Sequence, residues 1–243
     1  MPSKHTRIGI LVPSSNTALE PLTTQILSAL PALSVHFTRF SVTTIGLSPS
    51  ALAQFDIPNL LDAAQLLADA HVDVIGWSGT SAGWLGFDVD ERLCAAVRER
   101  TGIRATTSTL ALNKALRMLG VRKLGLVTPY TADVQDAVVK NYAGVGVEVS
   151  EERHLNRTDN VNFAVLGRET FDPMVESVME GEEKVDAVAT FCTNLSTSAL
   201  VEGWEERFGV PVLDSVTVVV WDCLKLCGID TAQVKGWGRL MQL

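Results

Sequence analysis

The sequence predicts an α/β protein of two similar Rossmann-like lobes. Each carries a parallel four-stranded sheet, and a pseudo-twofold axis places the site in the cleft between them. Three observations carry this. Short apolar runs of strand length alternate with helical patterns, as in parallel βαβ units. A βα pattern recurs at an offset of roughly 107 to 116 residues, the mark of an internal duplication. The chain of 243 residues is also long enough for two lobes of ordinary size.

Taken in order, the run from Ile8 to Val12 is a buried strand, and Pro13-Ser14-Ser15-Asn16 leads it into a helix. Ser14, Ser15 and Asn16 suit a helix N-cap, and they also suit an anion held at the helix start. The alternation from Val35 to Thr43 predicts a second strand. Helical spacing then runs from Ile57 to Ala70, followed by a buried strand from Val72 to Trp77. The SGTSAGWLGF segment that follows supplies Gly79, Gly83 and Gly86, permissive enough for a close approach to a ligand. A helix from Glu91 to Arg100 has Asp88, Asp90 and Glu91 at its start, where acidic side chains favour the helix dipole. Ile103 to Thr107 is a short strand, and Ala111 to Leu119 is a helix stopped by Gly120.

The order then restarts. Lys123-Leu-Gly-Leu-Val-Thr-Pro-Tyr130 answers Arg7-Ile-Gly-Ile-Leu-Val-Pro-Ser14, and Arg207-Phe-Gly-Val answers Arg100-Thr-Gly-Ile. Laying Asp186 on Asp73 puts Cys192 on Gly79, Thr193 on Thr80 and Asn194 on Ser81. The second copy delivers a thiol into a polar turn at the end of a buried strand, where open α/β sheets bind ligands. The first copy has the frame and the threonine without the thiol. The repeat divides the chain into a first lobe of residues 1–113 plus 215–243 and a second lobe of residues 114–214.

A formal charge of −8 argues against a nucleic-acid binder or a protein of anionic membrane surfaces. The apolar run at the N-terminus is broken by Pro13, too short for a signal segment or a membrane span, so a cytoplasmic protein is expected. The four cysteines form no CxxC pair, and no metal-binding cluster is visible. Cys223 and Cys227 stand one helical turn apart in an apolar pattern and are expected in the core.

PSSNT at 13–17, GTS at 79–81, TPY at 128–130, Asp159-Asn160, CTNLST at 192–197 and GVPVLDS at 209–215 together resemble the aspartate/glutamate racemase superfamily. Within it they look most like the branch of maleate cis-trans isomerases and arylmalonate decarboxylases. The resemblance implies chemistry without a cofactor at the carbon beside a carboxylate, on a small mono- or dicarboxylate, in a protein that forms a homodimer. By motif position it implies Cys192 as the catalytic acid. It implies donors to the substrate oxygens from Thr80, Ser81, Tyr130 and the backbone N–H groups of Cys192 and Thr193 around Gly79, recognition of a second carboxylate by Asn16 and Asn160, and Asn194 as a further substrate-binding residue.

Racemases and isomerases of the superfamily carry a cysteine on each lobe; here Gly79 stands in the first position, as in the decarboxylase branch. PSSN, Asp159-Asn160 and CTN are closer to the isomerases. The missing thiol weighs more, because it removes chemistry where the other residues change recognition. A serine at 78 or 81 without a base is a poor substitute nucleophile. His5, His36, His71 and His154 lie outside the motifs. The expectation is therefore a decarboxylase of a substituted malonate or related diacid. An isomerase or racemase is the alternative, and a non-catalytic dicarboxylate-binding protein is the third reading. Trp77 and Trp84, beside the GTS segment, are expected in the core, with Trp84 able to wall an apolar pocket.

Overall fold

The computed structural model describes residues 5–243; the first four residues of the expected first lobe lie outside the described residues. One sheet holds β1 (Thr6–Pro13), β2 (Leu33–Phe40), β3 (Val74–Trp77) and β4 (Arg104–Thr107), in the order β2-β1-β3-β4. The other holds β5 (Lys123–Thr128), β6 (Glu148–His154), β7 (Ala187–Thr190) and β8 (Val212–Asp214), in the equivalent order β6-β5-β7-β8. All pairings within both sheets are parallel.

The helices of the first half are α1 (Leu19–Leu27), α2 (Pro49–Ala53), α3 (Ile57–Asp69), α4 (Ala82–Leu85), α5 (Phe87–Thr101) and α6 (Ser108–Leu119). Those of the second are α7 (Ala132–Gly144), α8 (Arg168–Met179), α9 (Val201–Phe208) and α10 (Ser215–Leu226). Helix α10 leaves the second sheet and packs on α1, α6, β3 and β4, with Ser215 to Leu224 buried.

Repeated residues do repeated work. The Asp73 carboxylate accepts the Arg7 N–H at 2.9 Å, while the Asp73 N–H donates to the Arg7 carbonyl. Asp186 does the same for β5, accepting the N–H groups of Arg122 and Lys123 at 2.8 Å and donating to the Lys123 carbonyl. Those two N–H bonds hold the Asp186 carboxyl below the usual carboxylate range. Gly9 and Gly125 occupy equivalent strand positions for an equivalent reason. A Cβ on Gly9 would meet Leu67 of α3 at 3.0 Å, and one on Gly125 would overlap Val178 of α8. Each glycine lets a helix lie close on its sheet.

Several boundaries differ from expectation. β2 ends at Phe40 because Ser14 takes over the next chain segment, its hydroxyl bonding both N–H and carbonyl of Val42. Helix α5 begins at Phe87, and Asp90 is not a dipole-facing surface acid. It is 1% exposed and accepts a hydrogen bond from Thr107 Oγ1 at 2.5 Å. Burial pushes its carboxyl up to about 7. Strand β6 gave no apolar signal, since its EVSEERH sequence lies at a sheet edge with half-exposed faces.

In a sheet of this order the chain reverses direction between β1 and β3, and between β5 and β7. Ligands bind at such switch points, beyond the carboxyl ends of the strands. The loops after these four strands carry Ser14–Asn16, Ser78–Ser81, Tyr130 and Cys192–Asn194.

Candidate active site

Four loops meet across the two halves. Asn16 Nδ2 donates to Thr193 Oγ1 at 3.2 Å, and Thr193 Oγ1 donates to the Ser78 carbonyl at 3.2 Å. Asn194 Oδ1 accepts the N–H groups of Thr17 and Ala18 at 3.0 and 3.2 Å, while its Nδ2 donates to the Asn160 carbonyl at 2.5 Å. Asn160 Nδ2 in turn donates to Ser15 Oγ at 2.8 Å. Thr44 bridges Asp159, and the Ile45 N–H donates to the Thr158 carbonyl. The asparagines thus stitch the lobes together.

Inside this frame lies a small cavity lined by Pro13, Val42, Ile45, Phe55, Trp77 and Trp84 on its apolar side. Gly79, Thr80, Ser81, Tyr130, Asn160, Cys192 and Thr193 form the polar side. Its free volume is about 20 Å³, room for a single water, and none of its lining side chains is charged. A bound carboxylate would be met by neutral donors alone.

Cys192 stands two residues past the end of β7 and is 3% exposed. Its sulfur accepts the Asn194 N–H at 3.4 Å and is hydrogen-bonded by the Tyr130 hydroxyl. Burial outweighs both bonds, with a smaller contribution from the Asp214 carboxylate, and pushes the thiol up to about 11. It is therefore a protonated thiol at neutral pH, suited to give a proton rather than to attack. Tyr130 is fully buried; its hydroxyl joins Cys192 to Thr80 Oγ1, 2.7 Å away, and burial holds its own proton firmly. The N–H groups of Thr80, Ser81, Cys192 and Thr193 lie beyond the last paired residues of β3 and β7.

The loop bearing Cys192 is fixed from below by Asp214. Its carboxylate is fully buried and accepts from Thr190, Thr197, Ser198 and Thr217 hydroxyls and from the N–H groups of Val216 and Thr217. From the other lobe, Gly83 of α4 lies against the Phe191 ring, where a Cβ would come within 2.5 Å.

The model for arylmalonate decarboxylases matches residues 8–241, nearly the whole chain. The chain belongs to the arylmalonate decarboxylase family. Its curated relatives in and around that family are enzymes of two kinds. A maleate isomerase of Nocardia farcinica is 31% identical, over 97% of this chain and 95% of that protein. An arylmalonate decarboxylase of Bordetella bronchiseptica is 28% identical, over 96% of this chain and 95% of that protein. Among solved structures, the Nocardia farcinica isomerase, as a cysteine-to-serine variant with a covalently bound succinylcysteine intermediate, superposes with a TM-score of 0.88. It is 30% identical over 97% of this chain and 98% of that one. A liganded arylmalonate decarboxylase with a glycine-to-cysteine and a cysteine-to-serine exchange gives 0.84, at 26% identity over 97% and 98%. The fold of an arylmalonate decarboxylase family member, two parallel four-stranded sheets, is thereby established.

Of the expected site residues, Gly79, Thr80, Ser81, Tyr130, Asn160, Cys192 and Thr193 line one cavity. Asn16 and Asn194 are buried behind it. Asn16 Oδ1 caps the entry to α1 through the N–H groups of Ala18 and Leu19, at 3.0 Å each. Ser14 and Ser15 are tied to Val42, so neither hydroxyl is the anion contact considered from the sequence. Pro13 opens the PSSNT motif at the end of β1, while Val42, Ile45 and Phe55 belong to no motif, because apolar residues in loops carry no local signal. No histidine hydrogen-bonds a cavity residue among the described residues; His154, for one, pairs with Glu152. Also among them, no helix is long and apolar enough to cross a membrane, and no group of three His, Cys, Asp or Glu side chains is placed to hold a metal.

Proposed function

We propose that this family member is a cofactor-independent decarboxylase of a substituted malonate or related diacid, with Cys192 as the proton donor. The observation that carries this reading is a single buried, protonated thiol facing a cavity whose first-lobe counterpart is Gly79. One carboxylate of the substrate would sit among the Thr80, Ser81 and Tyr130 hydroxyls and the N–H groups of the Cys192 turn. The other would lie against the apolar wall of Val42, Ile45 and Phe55, where a charged group is poorly solvated and its loss as neutral CO₂ is favoured. The C–C bond breaks, its electron pair spreads into the retained carboxylate as an enediolate, and the thiol proton passes to the α-carbon. Water then returns a proton to the thiolate.

Each well-placed donor to the enediolate oxygens would contribute roughly 3 to 4 kcal/mol in a dry site. The cavity's free volume is that of about one water, so a diacid fits only with its walls moved apart. Asn160, whose amide is already engaged by Ser15 at the cavity edge, would orient the second carboxylate rather than carry its charge.

An isomerase is the second reading. It is favoured by the 31% identity to a maleate isomerase and by Asn160 on the cavity wall, whereas Asn16 and Asn194 lie behind that wall with their amides engaged. That chemistry, in which a succinylcysteine has been trapped on the Nocardia farcinica relative, needs a thiolate nucleophile. A thiol pushed up to about 11 is a poor source of one.

Proton NMR of the purified protein with a panel of malonates, maleate and amino acids separates the two. Release of CO₂ from a malonate supports the decarboxylase. Conversion of maleate to fumarate with no malonate turnover refutes it in favour of the isomerase.

A further inference from the structure

Trp77 is the last residue of β3, 2% exposed, with its ring against Phe40 at a centroid distance of 5.0 Å. It lines the same cavity as Gly79 and Cys192. A Cβ built on Gly79 would fall inside the indole, closer to Cζ2 and Cε2 than unbonded carbons approach. The obstacle is that ring, since Gly79 has no left-handed backbone conformation to exclude a side chain.

The repeat shows what has changed. Residues two apart leave an extended segment on the same side, so Trp77 and Gly79 correspond to Thr190 and Cys192 in the other lobe. There the first position is small: Thr190 turns its hydroxyl to Asp214 at 3.1 Å, and Cys192 occupies the cavity wall. In the first lobe the sizes are exchanged, with the large side chain at the strand end and none two residues on.

We propose that the Trp77 indole limits this site to one thiol, by filling the volume that a first-lobe cysteine side chain requires. Its consequence for reactivity is that the first-lobe wall offers neither acid nor nucleophile, so a planar intermediate receives its proton from Cys192 alone and one enantiomer results. Trp77 is in this sense a specificity-determining residue, and position 79 accepts a working thiol only once Trp77 is shortened. The stereochemical part rests on the decarboxylase reading; the packing part does not.

Two linked measurements test this. The first is a thermal cycle of the parent, Gly79→Ala, Trp77→Leu and the double variant, with Trp77→Val in place of Trp77→Leu if the latter does not fold. In the parent background Gly79→Ala should lower Tm by roughly 3–10 °C, as for overpacking of a dense core. In the shortened background the same change should cost no more than about 1 °C. The second is α-deuterium exchange and racemisation of (R)- and (S)-2-phenylpropanoate in D₂O, with Cys192 retained. Trp77→Leu/Gly79→Cys should racemise at least tenfold faster than Gly79→Cys alone.

An equal Tm loss in both backgrounds, or none in the parent, overturns the proposal, as does racemisation by Gly79→Cys alone at the rate of the double variant. A coupled Tm cycle, with no exchange by any variant and no malonate turnover by the parent, upholds the packing assignment and removes the decarboxylase reading instead.

Discussion

Replacing Tyr130 by phenylalanine deletes one oxygen from a fully buried ring that packs edge-on against Trp84 and Phe163. The rings stay in place, so the effect is confined to the hydroxyl. That hydroxyl bonds Thr80 Oγ1 at 2.7 Å and the Cys192 sulfur. Losing the neutral bond to Thr80 costs about 1 kcal/mol of stability, or roughly 2–4 °C in Tm for a chain of this size. If the hydroxyl turns its one proton from the Cys192 sulfur to the enediolate as charge develops there, its loss lowers kcat by about 10²–10³, well beyond what the stability change alone produces. The bond from Tyr130 is also the larger of the two that favour the Cys192 thiolate, so the thiol of Tyr130→Phe should titrate still higher than about 11. Decarboxylation kinetics, a thermal melt and the pH dependence of iodoacetamide alkylation, with Cys192 identified by peptide mapping, read the three effects separately. A variant within threefold of the parent in kcat refutes the placement of Tyr130 in the oxyanion pocket.

Other perturbations probe the frame. Burial raises the folded Asp90 carboxyl from 3.8 to about 7, so its contribution to stability is full below pH 3.8 and is lost as the pH climbs through 7, up to about 4 kcal/mol. Urea unfolding at pH 5 and 8.5 should show Asp90→Asn gaining on the parent at the higher pH; a difference independent of pH contradicts the assignment. Asp214→Ala strands several buried hydroxyls and two helix N–H groups, and should cost at least about 3 kcal/mol in urea unfolding. Gly83→Ala drives a methyl into the Phe191 ring one residue from Cys192, and should cost about 1–3 kcal/mol together with a loss of kcat. Unchanged melting of that variant would show that Phe191 has room to yield.

The duplicated fold was legible because its cues are local. The IGILV and LGLVT runs are buried on both faces, and the paired aspartates and glycines recur at matching positions. The edge strand β6 was not legible, since half-exposed faces leave charge where an apolar run would be sought. In the site, the polar residues stood out as motifs, while the apolar wall of Val42, Ile45 and Phe55 depends on how a loop folds back across the cleft. Asn16 and Asn194 illustrate the limit of reading roles from motifs. Asn16 Oδ1 caps α1 as its place before the helix announces, but the Asn16 bond to Thr193 and the Asn194 bonds to Thr17, Ala18 and the Asn160 carbonyl are made across the chain, where no spacing announces them. Asp90 is similar: acidic residues at a helix start are ordinarily solvated, and only the approach of Thr107 shows this one enclosed.

The role of Cys192 is open to one direct measurement. The parent and Cys192→Ala are incubated in D₂O with methyl(phenyl)malonate, and the product is read by proton NMR and chiral chromatography. If the thiol gives its proton to the enediolate, the parent yields 2-phenylpropanoate with a single α-deuteron and one enantiomer in excess, and Cys192→Ala loses turnover by 10³-fold or more, on the order expected for removing the acid. Equal rates for the two proteins, or a racemic product from the parent, would contradict Cys192 as the proton donor.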